Sequence, residues 1–282
     1  MSFHRSAIRL QAEKHGLVHT QGFQTIEDYC LYLIHLKAYE TAAEKSRGKT
    51  VLDCGCNVGY GTKLISTCSK EVIGVDVSKK AIQEASSRFG SQGIKFQTVD
   101  GIHLPFEDQR FDLVISFQVI EHISDYTQYL AEIKRVLNNK GIAMFTTPNA
   151  RIRLDPGMKP FYPFHIREFS ADELKGLLNG YFSTVQVRGL FGSESLYAIE
   201  YNRVRKNLEK VRRRPEWLNS LSLKIRVGVP DSLISLVRIA IRSLRGQKKP
   251  DEAALQQYST GDLFYRDDNP DEALDLMAIC NK

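Results

Sequence analysis

Short apolar runs and stretches with helical spacing take turns along the middle of this 282-residue chain. Lys49 to Asp53 reads as a strand, the glycine-rich Cys54–Gly61 as a turn, and Thr62 to Ser69 as a helix carrying Leu64, Ile65 and Cys68 on one side. Glu71–Asp76 is a second strand, closing on a carboxylate, and the helix Lys79–Phe89 follows it. Ile94–Thr98 and Phe111–Phe117 read as the third and fourth strands; the fourth is apolar along most of its length, as a strand covered on both faces should be. A helix from Tyr126 to Leu137, a turn at Asn138–Gly141 and a fifth strand at Ile142–Thr147, stopped by Pro148, complete the alternation. Phe182–Leu190 and Ala273–Cys280 supply two later strands. Strands alternating with helices of about three turns predict an α/β protein with a doubly wound sheet and its ligand over the carboxyl ends of the strands.

Those ends carry chemistry suited to a nucleoside. Gly55, Asn57 and Gly59 let a ligand approach the main chain, and the turn exposes backbone N–H groups at the start of a helix. Asp76 stands where an acidic side chain accepts from both ribose hydroxyls, and Asp100 where a carboxylate can accept from an exocyclic amine. A nicotinamide dinucleotide would also suit Asp76. Its Gly-x-Gly-x-x-Gly fingerprint fails, however, because Gly55-Cys56-Asn57 lacks the second glycine and Gly59-Tyr60-Gly61-Thr62-Lys63-Leu64 the third.

The segments VLDCGCNVGYGT, VIGVDVSKKAI, VDGIHLPFEDQRFDLVISFQVIEHI, RVLNNKGIAMFTTPN and PFHIREFSADEL resemble class I S-adenosylmethionine-dependent methyltransferases of the ubiquinone-type and glycan-cluster branch, over residues 35 to about 190. The resemblance implies a Rossmann-like, seven-stranded sheet with an antiparallel last strand, S-adenosylmethionine as cofactor, and cofactor contacts at Asp53, Gly55, Cys56, Asn57, Gly59, Asp76, Val77, Asp100, Gly101 and Phe117. The family turn usually reads Asp-x-Gly-x-Gly-x-Gly. Here Asn57 replaces the middle glycine, and asparagine is the residue that best tolerates positive φ in its place. His35 and Tyr39 match a family position that covers the cofactor.

Methyl transfer to an alcohol needs a base, and histidine is the usual one. His165, on the loop after the fifth strand, is the first candidate; Ser170–Glu173 anchors that loop as a capping box, and Arg167 and Glu168 can pair with each other. His122 is the second. Glu121 and His122 could help hold a divalent ion, but the spaced carboxylates of a metal-dependent catechol-type site are missing, so no metal is expected. The resemblance, chiefly the PFHIREF loop, implies O-methylation of a hydroxyl on a glycan or lipid-linked glycan. A quinone or isoprenoid-phenol acceptor is the alternative, and a non-catalytic S-adenosylmethionine-binding scaffold is the alternative of another class.

Nearly eighty residues interrupt the expected hairpin of the last two strands, an excursion too long for a passive connector. The chain thus divides into an N-terminal helical cap (1–48), the core (49–190), a largely helical insertion (191–270) and the final strand (271–282). Residues 201–249 hold fourteen Lys/Arg against Glu209, Glu216 and Asp231, a balance of +11 that leaves −5 for the rest of a chain of net charge +6. Such asymmetry points to an anionic partner. After Pro230 an amphipathic helix sets Arg238, Arg242 and Arg245 opposite Leu233, Leu236, Val237, Ala240 and Leu244, fit for an anionic membrane surface, for a lid or for a dimer contact. Nucleic acid is disfavoured, because aromatic residues do not interleave with the arginines and the Asn-Pro-Pro-Tyr type signature is missing after the fourth strand. The five cysteines show neither zinc spacing nor a disulfide framework. No run spans a membrane, and the polar Met1–Leu10 is no secretory signal, so a cytoplasmic protein is expected, peripheral at the inner membrane face if the basic helix binds lipid.

Overall fold

The computed structural model describes residues 20–162, 164–213 and 250–282. The helix predicted after Pro230, with Arg238, Arg242 and Arg245, lies outside them. Eight strands form one sheet: β1 (Thr50–Cys54), β2 (Glu71–Asp76), β3 (Lys95–Thr98), β4 (Phe111–Phe117), β5 (Leu137–Pro148), β6 (Thr184–Gly192), β7 (Leu263–Arg266) and β8 (Asp275–Asn281). Their order across the sheet is β3-β2-β1-β4-β5-β8-β6-β7.

β1 pairs parallel with β2 (Val51 opposite Val72) and with β4 (Val51 opposite Leu113), and β4 pairs parallel with β5. β8 runs antiparallel between β5 and β6, as expected of the last strand. Seven strands were expected. The eighth, β7, lies inside the segment read as largely helical and pairs antiparallel with the outer edge of β6, Leu190 opposite Tyr265. Leu263-Phe264-Tyr265-Arg266 is apolar and aromatic enough to pair but too short to show a period. The predicted turn at Asn138–Gly141 is extended chain at the start of β5, with a register shift against β4 between Phe111 and Leu113.

Adjacent strand residues point to opposite faces, which divides the core in two. Leu52, Val114 and Phe145 pack under α4 (Tyr126–Val136) and α6 (Ala171–Asn179), through Leu130, Ile133, Leu174 and Leu178. Val51, Leu113, Ile115 and Met144 face the other way, toward Tyr39 and Ala42 of α1 (Ile26–Ser46) and Ile65 of α2 (Tyr60–Ser66). Gly61 is where α1 meets α2, and a Cβ there would sit 2.2 Å from the Tyr39 ring. α1 also carries Cys30, Leu33 and Ile34 against Leu190, Leu196, Leu263 and Leu274, joining the N-terminal helix to β6, β7 and α7 (Glu194–Arg212). Two helices flank this frame more lightly, α3 (Lys79–Phe89) after β2 and the single turn α5 (Ala150–Arg153) after β5. A last short helix, α8 (Glu252–Gln256), precedes β7. Among the described residues no helix is long and apolar enough to cross a membrane.

Candidate active site

A cavity opens over the carboxyl ends of β1, β2 and β4. Gly55, Asn57, Asp76, Val77 and Gly101 line it, all expected from sequence, with Val99, Ile102, Leu104, Val119 and Ile123 as apolar wall.

The turn after β1 is held by its backbone. Gly55 has φ +84°, and a Cβ there would come within 2.4 Å of Val119 on the loop after β4. Asn57 has φ +46°, the left-handed conformation its replacement of glycine requires. Its N–H donates to Asp76 Oδ2 at 2.9 Å, and the N–H of Ser78 donates to Asp76 Oδ1 at 2.8 Å, so the carboxylate is fixed from two sides. Burial nonetheless pushes the Asp76 carboxyl up.

Other expected cofactor residues lie beside the cavity and not on its wall. Asp53 is fully buried beneath the turn; its Oδ2 accepts from Thr62 Oγ1 at 2.6 Å and its Oδ1 from the Tyr39 hydroxyl at 3.3 Å. Burial pushes its pKa up to about 7 against these hydrogen bonds. Cys56 is buried, Gly59 (φ +78°) begins α2, and Phe117 packs edge-on against Tyr39. Asp100 turns back into its own loop, where Oδ1 accepts from the N–H groups of Ile102 at 2.8 Å and His103 at 2.7 Å. Burial opposes its ionisation, but these hydrogen bonds outweigh it and lower its pKa. His35 is half-buried on α1; burial, helped by Arg203, pushes its pKa down to about 4.

The far side of the cavity is assembled from separated segments. His122 lines the wall, and its Nδ1 donates to the Phe164 carbonyl at 2.7 Å. Burial pushes the His122 pKa down. His165 does not line the cavity. It stands edge-on to the His122 ring with centroids 4.9 Å apart, and its Nδ1 lies 2.7 Å from Glu168 Oε1. Glu168 does not pair with Arg167. It takes Arg153 Nε at 2.7 Å and a second guanidinium nitrogen at 3.1 Å, while Arg167 reaches out to Glu173. Burial opposes ionisation of Glu168, but His165 and Arg153 overcome it and hold the carboxyl below its ordinary range. The capping box at Ser170 and Glu173 is present, as expected. The Glu121 carbonyl accepts from Ile166 N at 2.8 Å, tying the His165 loop to the turn after β4.

Three residues here escaped sequence reading. Gln118, at φ +57°, lines the cavity and donates to Asp275 Oδ2 at 2.9 Å. Asp275 is a carboxylate inside an otherwise apolar final strand, which was the available signal; burial pushes its pKa well up. Arg153 gave no signal at all. Asn149 anchors the neighbouring loop by donating to the carbonyls of Pro270 and Ala273, at 2.9 and 2.8 Å.

Residues 52–145 match the family model described as a methyltransferase domain. A probable S-adenosylmethionine-dependent methyltransferase of Mycobacterium tuberculosis is 38% identical over 168 residues, 59% of this chain and 60% of that protein. A ubiquinone/menaquinone biosynthesis C-methyltransferase of Desulfotalea psychrophila is 30% identical over 144 residues, 47% of this chain and 58% of that protein. The chain thus spans about 60% of the length of these relatives. Among solved structures, the YcgJ protein of Bacillus subtilis superposes at a TM-score of 0.52 and 19% identity, covering 88% of this chain and 98% of that one. The cyclase SpnF also reaches 0.52, at 17% identity, over 86% of this chain and 79% of its own. These two likenesses bear on the fold alone. Residues 52–145 thus resemble a methyltransferase domain, and the mixed sheet around them has the fold of these neighbours.

Proposed function

We propose that the chain is an S-adenosylmethionine-dependent methyltransferase that methylates a hydroxyl on a glycan or lipid-linked glycan. The observation that carries the cofactor reading is Asp76, fixed at the end of β2 on the cavity wall by the N–H groups of Asn57 and Ser78. Each of its oxygens keeps a second lone pair, so a ribose diol can be accepted without breaking either bond. Gly55, Asn57 and Gly101 offer close backbone beside it, and the apolar wall of Val99, Ile102 and Leu104 suits a flat purine. The residues present therefore fit the cofactor.

When bound, S-adenosylmethionine supplies a methyl group already activated by its sulfonium. The chain has to hold the acceptor in line, exclude water and receive the acceptor's proton. His122, on the cavity wall, is our candidate for that proton; His165, off the wall, stands against His122 and is oriented by Glu168. Asp53 acts through position: it holds Thr62 and Tyr39 beneath the turn.

The glycan reading draws support from the PFHIREF loop and from the basic balance of residues 201–249. A quinone or isoprenoid-phenol acceptor draws its support from relatives whose names include ubiquinone/menaquinone biosynthesis and tocopherol O-methyltransferase. Incubation with tritiated-methyl cofactor and membrane extract, split into lipid, polysaccharide and nucleic-acid fractions, separates them. Label in polysaccharide or glycolipid supports the first reading and label in simple quinones the second. Label in no fraction contradicts both and favours a non-catalytic binding protein.

A further inference from the structure

Glu121, His122 and His165 each bring one atom capable of ligating a metal ion, and these atoms lie within 4.8 Å of one another. No metal was expected, because the spaced carboxylates of a catechol-type site are missing, and sequence alone separates Glu121 and His122 from His165. The fold closes the gap through the Glu121 carbonyl, which accepts the N–H groups of Ile166 at 2.8 Å and Arg167 at 3.3 Å.

The protonation of the cluster is set from outside it. A carbonyl can only accept, so His122 Nδ1 carries the proton in its 2.7 Å contact with Phe164 and the lone pair belongs to Nε2. Glu168, doubly bound by Arg153, is an acceptor too, so His165 Nδ1 donates to it, and in the neutral ring the lone pair is on Nε2. A carboxylate holding the far nitrogen of an imidazole is the usual support of a metal-bound histidine.

Glu121 makes the strongest case. It is fully buried; Oε2 accepts from Thr147 Oγ1 at 3.1 Å, whereas Oε1 has no hydrogen-bond partner. A buried carboxylate oxygen with nothing to accept is costly, and a cation is what such an oxygen calls for. A proton-accepting base needs one lone pair; three converging donors around an unsatisfied oxygen are more than that task requires.

We propose that Glu121, His122 and His165 form a site for one divalent transition-metal ion on the rim of the cavity. Two imidazoles and a carboxylate suit a borderline ion such as Zn²⁺, Mn²⁺ or Co²⁺ better than Ca²⁺ or Mg²⁺, which prefer all-oxygen sets. Bonds of about 2.1 Å put neighbouring donors roughly 3.3 Å apart, so the ion draws the two rings in by a modest rotation. Three protein ligands leave positions open, and because His122 lines the cavity those positions serve a ligand held there. The ion's role rests on the methyl-transfer reading: it would bind the acceptor oxygen and lower the pKa of its hydroxyl, whose proton would then pass to solvent water, because both imidazoles are occupied as ligands. The site itself does not rest on it.

The test is titration of the metal-free full chain with Co²⁺ and with Zn²⁺, without cofactor, followed by calorimetry and, for Co²⁺, by its visible absorption. One equivalent is expected, with Glu121→Gln and His165→Gln each weakening it at least tenfold. Glu168→Gln should weaken it by roughly 10- to 100-fold, as loss of such a support does elsewhere. Thermal melts check that each variant folds; if Glu121→Gln does not, the other two decide. No stoichiometric binding, or equal affinity in every folded variant, overturns the site. S-adenosylmethionine is titrated separately. Its failure to bind beside an intact metal site removes the methyl-transfer reading, and its binding beside an absent metal removes only the site.

Discussion

The side of the cavity holding Asn57 and Asp76 and the side holding Glu121, His122 and His165 are made of different materials. On the first, main-chain N–H groups and left-handed residues do most of the positioning, and they hold one half-buried carboxylate, Asp76, on the cavity wall. On the second, buried ionisable side chains face one another: Glu168 between Arg153 and His165, and Glu121 under Thr147. A backbone cradle tolerates changes of side chain and binds one invariant ligand. A cluster of buried charges is intolerant, because each charge is stable only through its partners. The two regions should therefore fail differently when perturbed.

The largest effect is expected on the charged side. Arg153→Met strips the buried Glu168 of its guanidinium and should cost about 3–5 kcal/mol of stability in urea denaturation, as breaking one half of a buried pair does. A loss below 1 kcal/mol would show that the cluster is not the tense half of the site. On the cradle side, Asp76→Ala should leave the fold intact while weakening S-adenosylmethionine binding by roughly 150-fold or more, the worth of a hydrogen bond to a charged group made twice over. Unchanged binding would displace the ribose from Asp76.

A pH series reaches beneath the cradle. Asp53 titrates near 7 in the folded chain against an ordinary value of 3.8, so the folded state holds a proton there that the unfolded chain releases. That contribution is full below about pH 4 and is lost as pH rises through 7. Asp53→Asn, which keeps an acceptor for Thr62 and Tyr39, should gain melting temperature over the wild type progressively between pH 4 and pH 7. A gap that does not move with pH would mean Asp53 is ionised throughout.

The smallest effect belongs to Asn57→Gly. Relief of a positive φ is set against loss of the 2.9 Å bond from Val58 N to Asn57 Oδ1, and the two should cancel to within about 1 kcal/mol. A large loss of stability or of cofactor binding would give the Asn57 side chain a part the cradle model does not allow it.

The same contrast explains what the chain discloses on reading. Gly55, Asn57, Gly59 and Asp76 fall within one strand-turn-helix-strand unit, where local conformation and the proposed cofactor contacts coincide, so spacing alone exposes them. Glu121, Arg153, His165 and Glu168 meet only because β4 and β5 are neighbours and the loop after β5 folds back onto the turn after β4. His122 and His165 were visible as residue types, but their supports were not; Arg153 looks like any surface arginine in a polar loop. β7 was missed for a related reason, since four residues gain strand character only from the β6 edge they meet. Fold likeness does not settle the chemistry either, for YcgJ and the cyclase SpnF match this chain equally well.

Calorimetric titration of the wild-type chain with S-adenosylmethionine, with a nicotinamide dinucleotide as the parallel ligand, tests the central claim most directly. One saturable site for the sulfonium compound and none for the dinucleotide is the predicted result. Heat from the dinucleotide alone, or from neither, contradicts it.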